Sequence, residues 1–342
     1  MNILVTGNKG YIGSVLTEML LEKGHSVVGF DTGFYDDCQL EEKKFNIKQI
    51  SKDIRNAEKQ DLNGIDAVAH LAALSNDPLG ELDQNLTEEI NFKATINLAK
   101  LAKEVGAKRF VYASSQSMYG VSSIVEELSE DAEKNPITAY AKTKWQAEQE
   151  LKKIADENFV VVCFRPSTVF GASSNLRCDI VFNNLVASAY TTGKIEIKSD
   201  GTPWRPVVHV KDVSCAFIAG LEAPKELVQN QSFNVGIENG NYTVKDLAQA
   251  AQKSVEGSSL VFTGEHGKDS RTYKVSFEKI LAVLKDYYKP EFNLEKGGKE
   301  LVDFFKKINF TEEMFRGRQC NRLPQLKHLL SEKKINNNLL WQ

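Results

Sequence analysis

Between residue 1 and about residue 170, short runs rich in β-branched residues alternate with longer stretches of helical period: NILVTG, SVVGFD, AVAHLAA, FVYASS and VVVCFRP are each separated by such a segment. Parallel strands need a crossover between them, and a helix laid on one face of the sheet supplies it. The alternation therefore predicts an α/β fold, a Rossmann-like doubly wound parallel sheet covered by helices on both faces. The clearest helix is INFKATINLAKLAKEVGA, in which Ile90, Ala94, Leu98 and Leu101 share one face and Gly106 supplies the stop. After residue 171 the texture changes: elements shorten, turn signals such as SDGTPW and IENGN appear, and the last region is rich in Lys and Asn. The expected division is residues 1–171 as the nucleotide-binding sheet domain and residues 172–342 as mainly a smaller C-terminal α/β substrate lobe, with room for returns to the sheet. The tail SEKKINNNLLWQ reads either as a docked helix or as a frayed end.

The 342 residues are enough to bury a sizeable core in such a fold. Charge is nearly balanced, with 43 basic and 46 acidic residues. No basic field is available for a polyanion, so nucleic acid is not an expected partner. The N-terminus enters a strand without a basic, then apolar, leader. No apolar run reaches membrane-spanning length, and a cytoplasmic protein is expected. The five cysteines, Cys38, Cys163, Cys178, Cys215 and Cys320, are scattered and form no CxxC pair, which argues for reduced, packing thiols rather than a disulfide frame. The five histidines make no HxxxH or HExxH pattern, so no metal site is expected.

Strand one runs into TGNKGYIG, which spaces Gly7, Gly10 and Gly13 three apart at the opening of the helix YIGSVLTEMLLEKG. Glycine lets the backbone turn tightly and approach a pyrophosphate, whose charge then meets the positive N-terminus of the helix. Tyr11 and Ile12 lie inside this loop. Asp31 follows Gly13 by 18 residues, at the end of strand two. A carboxylate there accepts hydrogen bonds from both ribose hydroxyls of an adenosine and repels a 2′-phosphate, so the implied cofactor is NAD rather than NADP. KDIRN adds Asp53, near an adenine amino group, with Ile54 beside it. HLAA brings Leu71, Ala72 and Ala73 to the sheet edge, and Ser114 and Pro166 end two further strands of the cofactor-binding set.

FVYASSQSMYG ends a strand in a cluster of hydroxyl and amide side chains, Ser114, Ser115, Gln116 and Ser117. A polar turn after a buried strand is ordinary. Further along, ITAYAKTKWQAEQEL puts Tyr140 and Lys144 four apart on one helix face. A phenol has an unperturbed pKa of about 10. A nearby ammonium is expected to stabilise the phenolate and lower that value, so that Tyr140 exchanges a proton with a substrate hydroxyl while Lys144 reaches the nicotinamide ribose.

Taken together, TGNKGYIG, Asp31, HLAA, SSQSMYG, YAKTK, RPSTVFG, WRPVVHVKDV and GKDSRTYKV resemble the extended short-chain dehydrogenase/reductases, in particular the group of nucleotide-sugar epimerases, dehydratases and ketoreductases. The resemblance spans nearly the whole chain. It implies that Ser115 joins Tyr140 and Lys144 as a catalytic residue by bonding the reacting sugar hydroxyl. It implies that Arg205 and Arg271 clamp the diphosphate of a nucleotide-diphosphate sugar, with Asn175 against the same phosphates, and that Gln116 and Ser117 border the sugar. Guanidinium's planar fork suits a diphosphate. The resemblance also implies a homodimer built on a pair of helices that includes the one carrying Tyr140.

The family's 4,6-dehydratases carry an Asp-Glu pair at the positions held here by Gln116 and Ser117. An amide and a hydroxyl cannot supply that acid and base. The implied function is NAD-dependent hydride transfer at C4 of a nucleotide sugar, as an epimerase and not a 4,6-dehydratase. Two alternatives stay open: a 4-dehydrogenase or 4-ketoreductase with net redox change, and a non-catalytic NAD-binding regulatory protein. Of the remaining features, His70 is expected to pack within its strand, and His209 either meets a sugar hydroxyl or closes a strand end. Trp204 either stacks on a base or packs against the lobe, and SNDPLGELD borders the site as a candidate determinant of sugar preference.

Overall fold

The computed structural model describes residues 1–43, 45–120, 126–264 and 272–342. The five expected strands form, as β1 (Asn2–Thr6), β2 (Ser26–Asp31), β4 (Ala67–His70), β5 (Arg109–Ala113) and Val160–Pro166, and a further strand, β3 (Lys48–Ser51), which the alternation did not mark, lies between β2 and β4 in the chain. With Gln231–Val235 they pair in parallel in the order Gln231–Val235, Val160–Pro166, β5, β4, β1, β2, β3. The chain reverses its direction of winding between β1 and β4, and in a sheet of this kind ligands bind outside the carboxyl ends of the strands at that switch point. Helix α1 (Tyr11–Glu22) and Val210–Glu222 cover one face with a core that includes Leu16, Leu20, Val213 and Phe217. Ala94–Glu104 and Ala139–Ile154 cover the other with Leu98, Ala102, Ala147 and Leu151.

The expected helix from Ile90 is longer, because Gln84–Glu88, Glu89–Lys93 and Ala94–Glu104 run on as one rod with a single wide π turn in the middle. That turn has a purpose for the site edge. It presents Asn91, whose side chain accepts from the Leu74 N–H at 2.8 Å and donates to the Leu74 carbonyl at 3.1 Å, pinning the loop after β4.

The lobe is built around Trp204–His209, which pairs in parallel with Thr168–Phe170 and antiparallel with Asn241–Thr243. Its helices Val181–Thr192, Val244–Ser254 and Leu294–Lys307 enclose Phe182, Leu247, Leu301 and Phe305. The two units exchange chain. Residues 210–235 return to the sheet. At the C-terminus, Leu326 and Leu329 of Arg322–Ser331, followed by Ile335 and Leu339, are buried in the sheet domain's core. The tail is therefore docked, closed by a bridge between Ile335 and Trp341 rather than by a helix.

Candidate active site

A cavity of about 760 Å³ runs along the carboxyl edge of the sheet, within the ~300–1,000 Å³ of small-molecule sites. At one end lies the glycine loop. Gly7 has φ +71°, and a Cβ on Gly13 would come within 2.0 Å of the Gly7 carbonyl oxygen. Only unsubstituted backbone closes this turn. The loop delivers the N-terminus of α1, which has neither a side-chain cap nor an acidic residue in its first turn. An anion thus finds backbone donors and no competing carboxylate there.

Asp31 accepts from the Gly33 N–H at 2.8 Å and the Lys9 N–H at 3.1 Å, one donor per carboxylate oxygen. Lone pairs remain for ribose hydroxyls. Burial pushes its carboxyl above the usual range. Asp53 lines the same end, but both its oxygens hold Arg55, at 2.9 and 2.8 Å, so its role is divided between cavity and scaffold. Gly10, Tyr11, Ile12, Ile54, Leu71, Ala72, Ala73, Ser114 and Pro166 also line the cavity. Tyr11 does more than line it. Its hydroxyl donates to the Gly171 carbonyl at 2.8 Å and accepts from Asn183 at 3.1 Å, which ties the glycine loop to the lobe. This cradle fits the diphosphate and ribose of a dinucleotide.

At the other end, Ser115, Gln116, Ser117, Tyr140, Lys144 and Arg205 reach the cavity. Ser115 caps the short turn Gln116–Tyr119, accepting from the Ser117 N–H at 3.2 Å, and its hydroxyl lies 2.9 Å from that of Ser117. Gln116 donates to the Arg165 carbonyl at 3.0 Å. Its buried Oε1 has no partner among the described residues, which leaves an acceptor for a ligand donor. Thr138 caps the helix that carries Tyr140 and Lys144, and its hydroxyl also donates to Asp77 at 2.6 Å.

The expected effect of the ammonium on the phenol requires correction. Lys144 Nζ donates to the Ala113 carbonyl at 2.7 Å and sits 5.8 Å from the centre of the Tyr140 ring. Burial pushes Tyr140 up to about 12, against the pull of Ser115 and Arg177, and Asp77 adds to the rise. Burial likewise pushes Lys144 down to about 7, opposed by Glu148. Desolvation outweighs the pairing that the four-residue spacing suggested.

Asn175 is buried and does not reach the cavity. Its carbonyl accepts from Arg322 at 2.8 Å, and it is Arg177, two residues on, that lines the wall. Arg271 lies outside the described residues. His209 is spent on Glu300 at 2.6 Å and on a stacked contact with Phe292, and the Trp204 ring carries the Lys274 ammonium at 4.1 Å. His70 is held between Thr6 at 2.7 Å and Thr95 at 2.8 Å, and burial keeps it neutral, its pKa lowered to about 3. Sequence reasoning did not single out Asp77, Arg177 or Arg322. Asp77 lies within SNDPLGELD, a local signal of the site edge. Arg177 and Arg322 stand in no recognisable spacing.

A glycine cradle with a buried carboxylate beside it, facing Ser, Tyr and Lys side chains across one cavity, is the arrangement of a dinucleotide-binding Rossmann-like fold. The chain belongs to the NAD dependent epimerase/dehydratase family, whose model matches residues 3–236, and it is an NAD-dependent enzyme. A UDP-glucuronate 4-epimerase of Thermodesulfobacterium geofontis is 29% identical over 326 residues, covering 89% of this chain and 95% of that protein. The structure of UDP-glucuronic acid 4-epimerase from Bacillus cereus, in complex with UDP-glucuronic acid and NAD, matches with a TM-score of 0.76 at 25% identity. It covers 90% of this chain and 100% of that one. The fold is shared more widely: TunA, an NAD-dependent NDP-hexosamine 5,6-dehydratase, has a TM-score of 0.76 at 20% identity, covering 90% of this chain and 98% of that one.

Proposed function

We propose that this chain epimerises C4 of a UDP-type nucleotide sugar and does not dehydrate it. The observation that carries this reading is the convergence of Ser115, Tyr140 and Lys144 on one end of a cavity whose other end is the glycine cradle. NAD, when bound, supplies the hydride acceptor and donor for the sugar carbon. The chain's own residues do the rest. The glycine loop and α1 hold a diphosphate, and Asp31 accepts from ribose hydroxyls. Ser115 orients the sugar hydroxyl, and Tyr140 exchanges a proton with it, accepting that proton as the phenolate and giving it back as the phenol. Lys144 stands beside the reacting phenol, its Nζ anchored on the Ala113 carbonyl and 5.8 Å from the centre of the Tyr140 ring.

The residues after Ser115 support the exclusion of dehydration. Neither side chain ionises. Gln116 is held by the Arg165 carbonyl and Ser117 by Ser115, and Asp77, one of the carboxylates that line the cavity, is oriented by the helix cap Thr138. The test is to incubate the purified protein with UDP-glucose, UDP-glucuronic acid and dTDP-glucose, following both product structure by NMR and reduced-nicotinamide absorbance. A C4 epimer with no lasting absorbance change is the expected outcome, and Tyr140→Phe should slow it by roughly 10²–10⁴-fold. A 4-keto-6-deoxy product, or a persistent stoichiometric rise in absorbance, would refute the reading.

A further inference from the structure

One wall of the cavity comes from a stretch that no motif marks. Asn321, Arg322, Leu323 and Pro324 line it where the helix Arg322–Ser331 begins. This segment is tied to the loop that follows Asp31: Gln325 donates to the Phe34 carbonyl at 2.9 Å, and Trp341 Nε1 donates to the Thr32 carbonyl at 2.6 Å.

Arg322 is only 3% exposed. Its Nη2 donates to the Asn175 carbonyl at 2.8 Å, and its guanidinium lies over the Tyr35 ring at 4.2 Å. Its Nη1 is buried with no hydrogen-bond partner among the described residues. Arg177, the neighbouring cation on this wall, is satisfied: Nε and Nη2 bond Asp179 at 2.9 Å each, and Nη1 bonds Ser75 at 3.2 Å. Asp179 holds Arg177 with both oxygens and also accepts from Asn76 and from the Arg322 backbone N–H. Within the glycine loop, Lys9 turns away to Asp36 at 2.6 Å. Arg322 Nη1 is therefore a buried guanidinium N–H on this wall that no acceptor matches among the described residues, and a buried donor of this kind calls for one.

We propose that Arg322 completes the pyrophosphate site of the dinucleotide, its Nη1 donating to a phosphate oxygen while the Tyr35 ring and the Asn175 carbonyl hold the guanidinium in place. The diphosphate of a nucleotide sugar offers the same chemistry. The dinucleotide is favoured because the segment is anchored on Thr32 and Phe34, immediately after the ribose-binding Asp31. The inference rests on the dinucleotide reading of the cavity and is independent of which sugar reacts.

The experiment is calorimetric titration of NAD, ADP-ribose, adenosine and UDP into the wild-type protein, Arg322→Gln and Arg322→Lys, with a melting curve of each protein as the folding control. Arg322→Gln should weaken NAD and ADP-ribose by about tenfold to a hundredfold. It should leave adenosine and UDP within about twofold, and Arg322→Lys should recover part of the loss. Unchanged NAD affinity in a folded variant overturns the proposal. So does a loss that falls on UDP instead, which assigns Arg322 to the substrate diphosphate, or a loss equal for adenosine and NAD, which makes its role structural. Failure of the wild-type protein to bind NAD or ADP-ribose removes the dinucleotide reading itself.

Discussion

Tyr140 and Lys144 are moved in opposite directions by the same cause, the removal of a charge from water. The phenol stands at about 12 and the ammonium at about 7, so between those values both groups are largely neutral. For Lys144 this carries a stability cost with a definite pH dependence. An unfolded lysine titrates at its ordinary 10.5. Below about 7 both states hold the proton, and the native state bears the full cost of the buried charge. As the pH rises toward 10.5, only the unfolded state keeps its proton, and the cost falls away. Lys144→Met should raise the melting temperature by several degrees at about pH 6 and by visibly less at about pH 9, while turnover is lost. Differential scanning calorimetry at the two pH values decides it, and a gain that does not shrink would clear the ammonium of responsibility.

At the scale of elements, the helix Ala139–Ile154 is what aims the chemistry, and it is held at both ends of its active face. Thr138 and Asp77 fix its start. One turn past Lys144, Glu148 forms a buried two-point pair with Arg165 of the neighbouring strand, at 2.9 and 2.7 Å, and accepts from Ser232 at 3.0 Å. Burial alone would raise the Glu148 carboxyl, but the guanidinium outweighs it and holds the group below its ordinary value. Glu148→Gln leaves that guanidinium uncompensated. Chemical denaturation should report a loss of about 3–5 kcal/mol, with turnover falling as Lys144 loses its reference; a loss under about 1 kcal/mol would show that the pair is dispensable. The four-residue step from Tyr140 to Lys144 was readable because helical neighbours are close in sequence. Glu148 and Arg165, 17 residues apart and on different elements, gave no such signal.

For the whole molecule, the C-terminal tail matters more than its composition suggests. Ile335 and Leu339 are buried against the sheet domain, Arg55 donates to the Asn338 carbonyl at 2.8 Å, and Trp341 reaches Thr32. The tail thereby braces both the loop after Asp31 and the turn that holds Asp53. Ending the chain at Ser331 removes that brace while keeping Arg322. We expect the melting temperature to fall by several degrees, since each buried aliphatic side chain contributes about 1.5–3 kcal/mol. NAD affinity should weaken several-fold. Equal melting and binding in the shortened and full-length proteins, measured by calorimetry, would show the tail to be passive.

What the sequence alone determined is everything local. The alternation of strand and helix period is a property of neighbours, and so are the tight glycine turn, the acidic end of strand two and the Tyr140–Lys144 step. These are legible because backbone sterics and side-chain spacing act over a few residues. Tertiary structure decided the rest. It brought residues 210–235 back to the sheet, turned Asn175 away from the cavity and Arg177 toward it, and set Arg322 against Asn175 across 147 residues of chain. It also reversed the expected effect on Tyr140, because desolvation depends on what surrounds a group in space. Contacts between distant segments follow from the packing of the whole core, and no spacing in the chain records them.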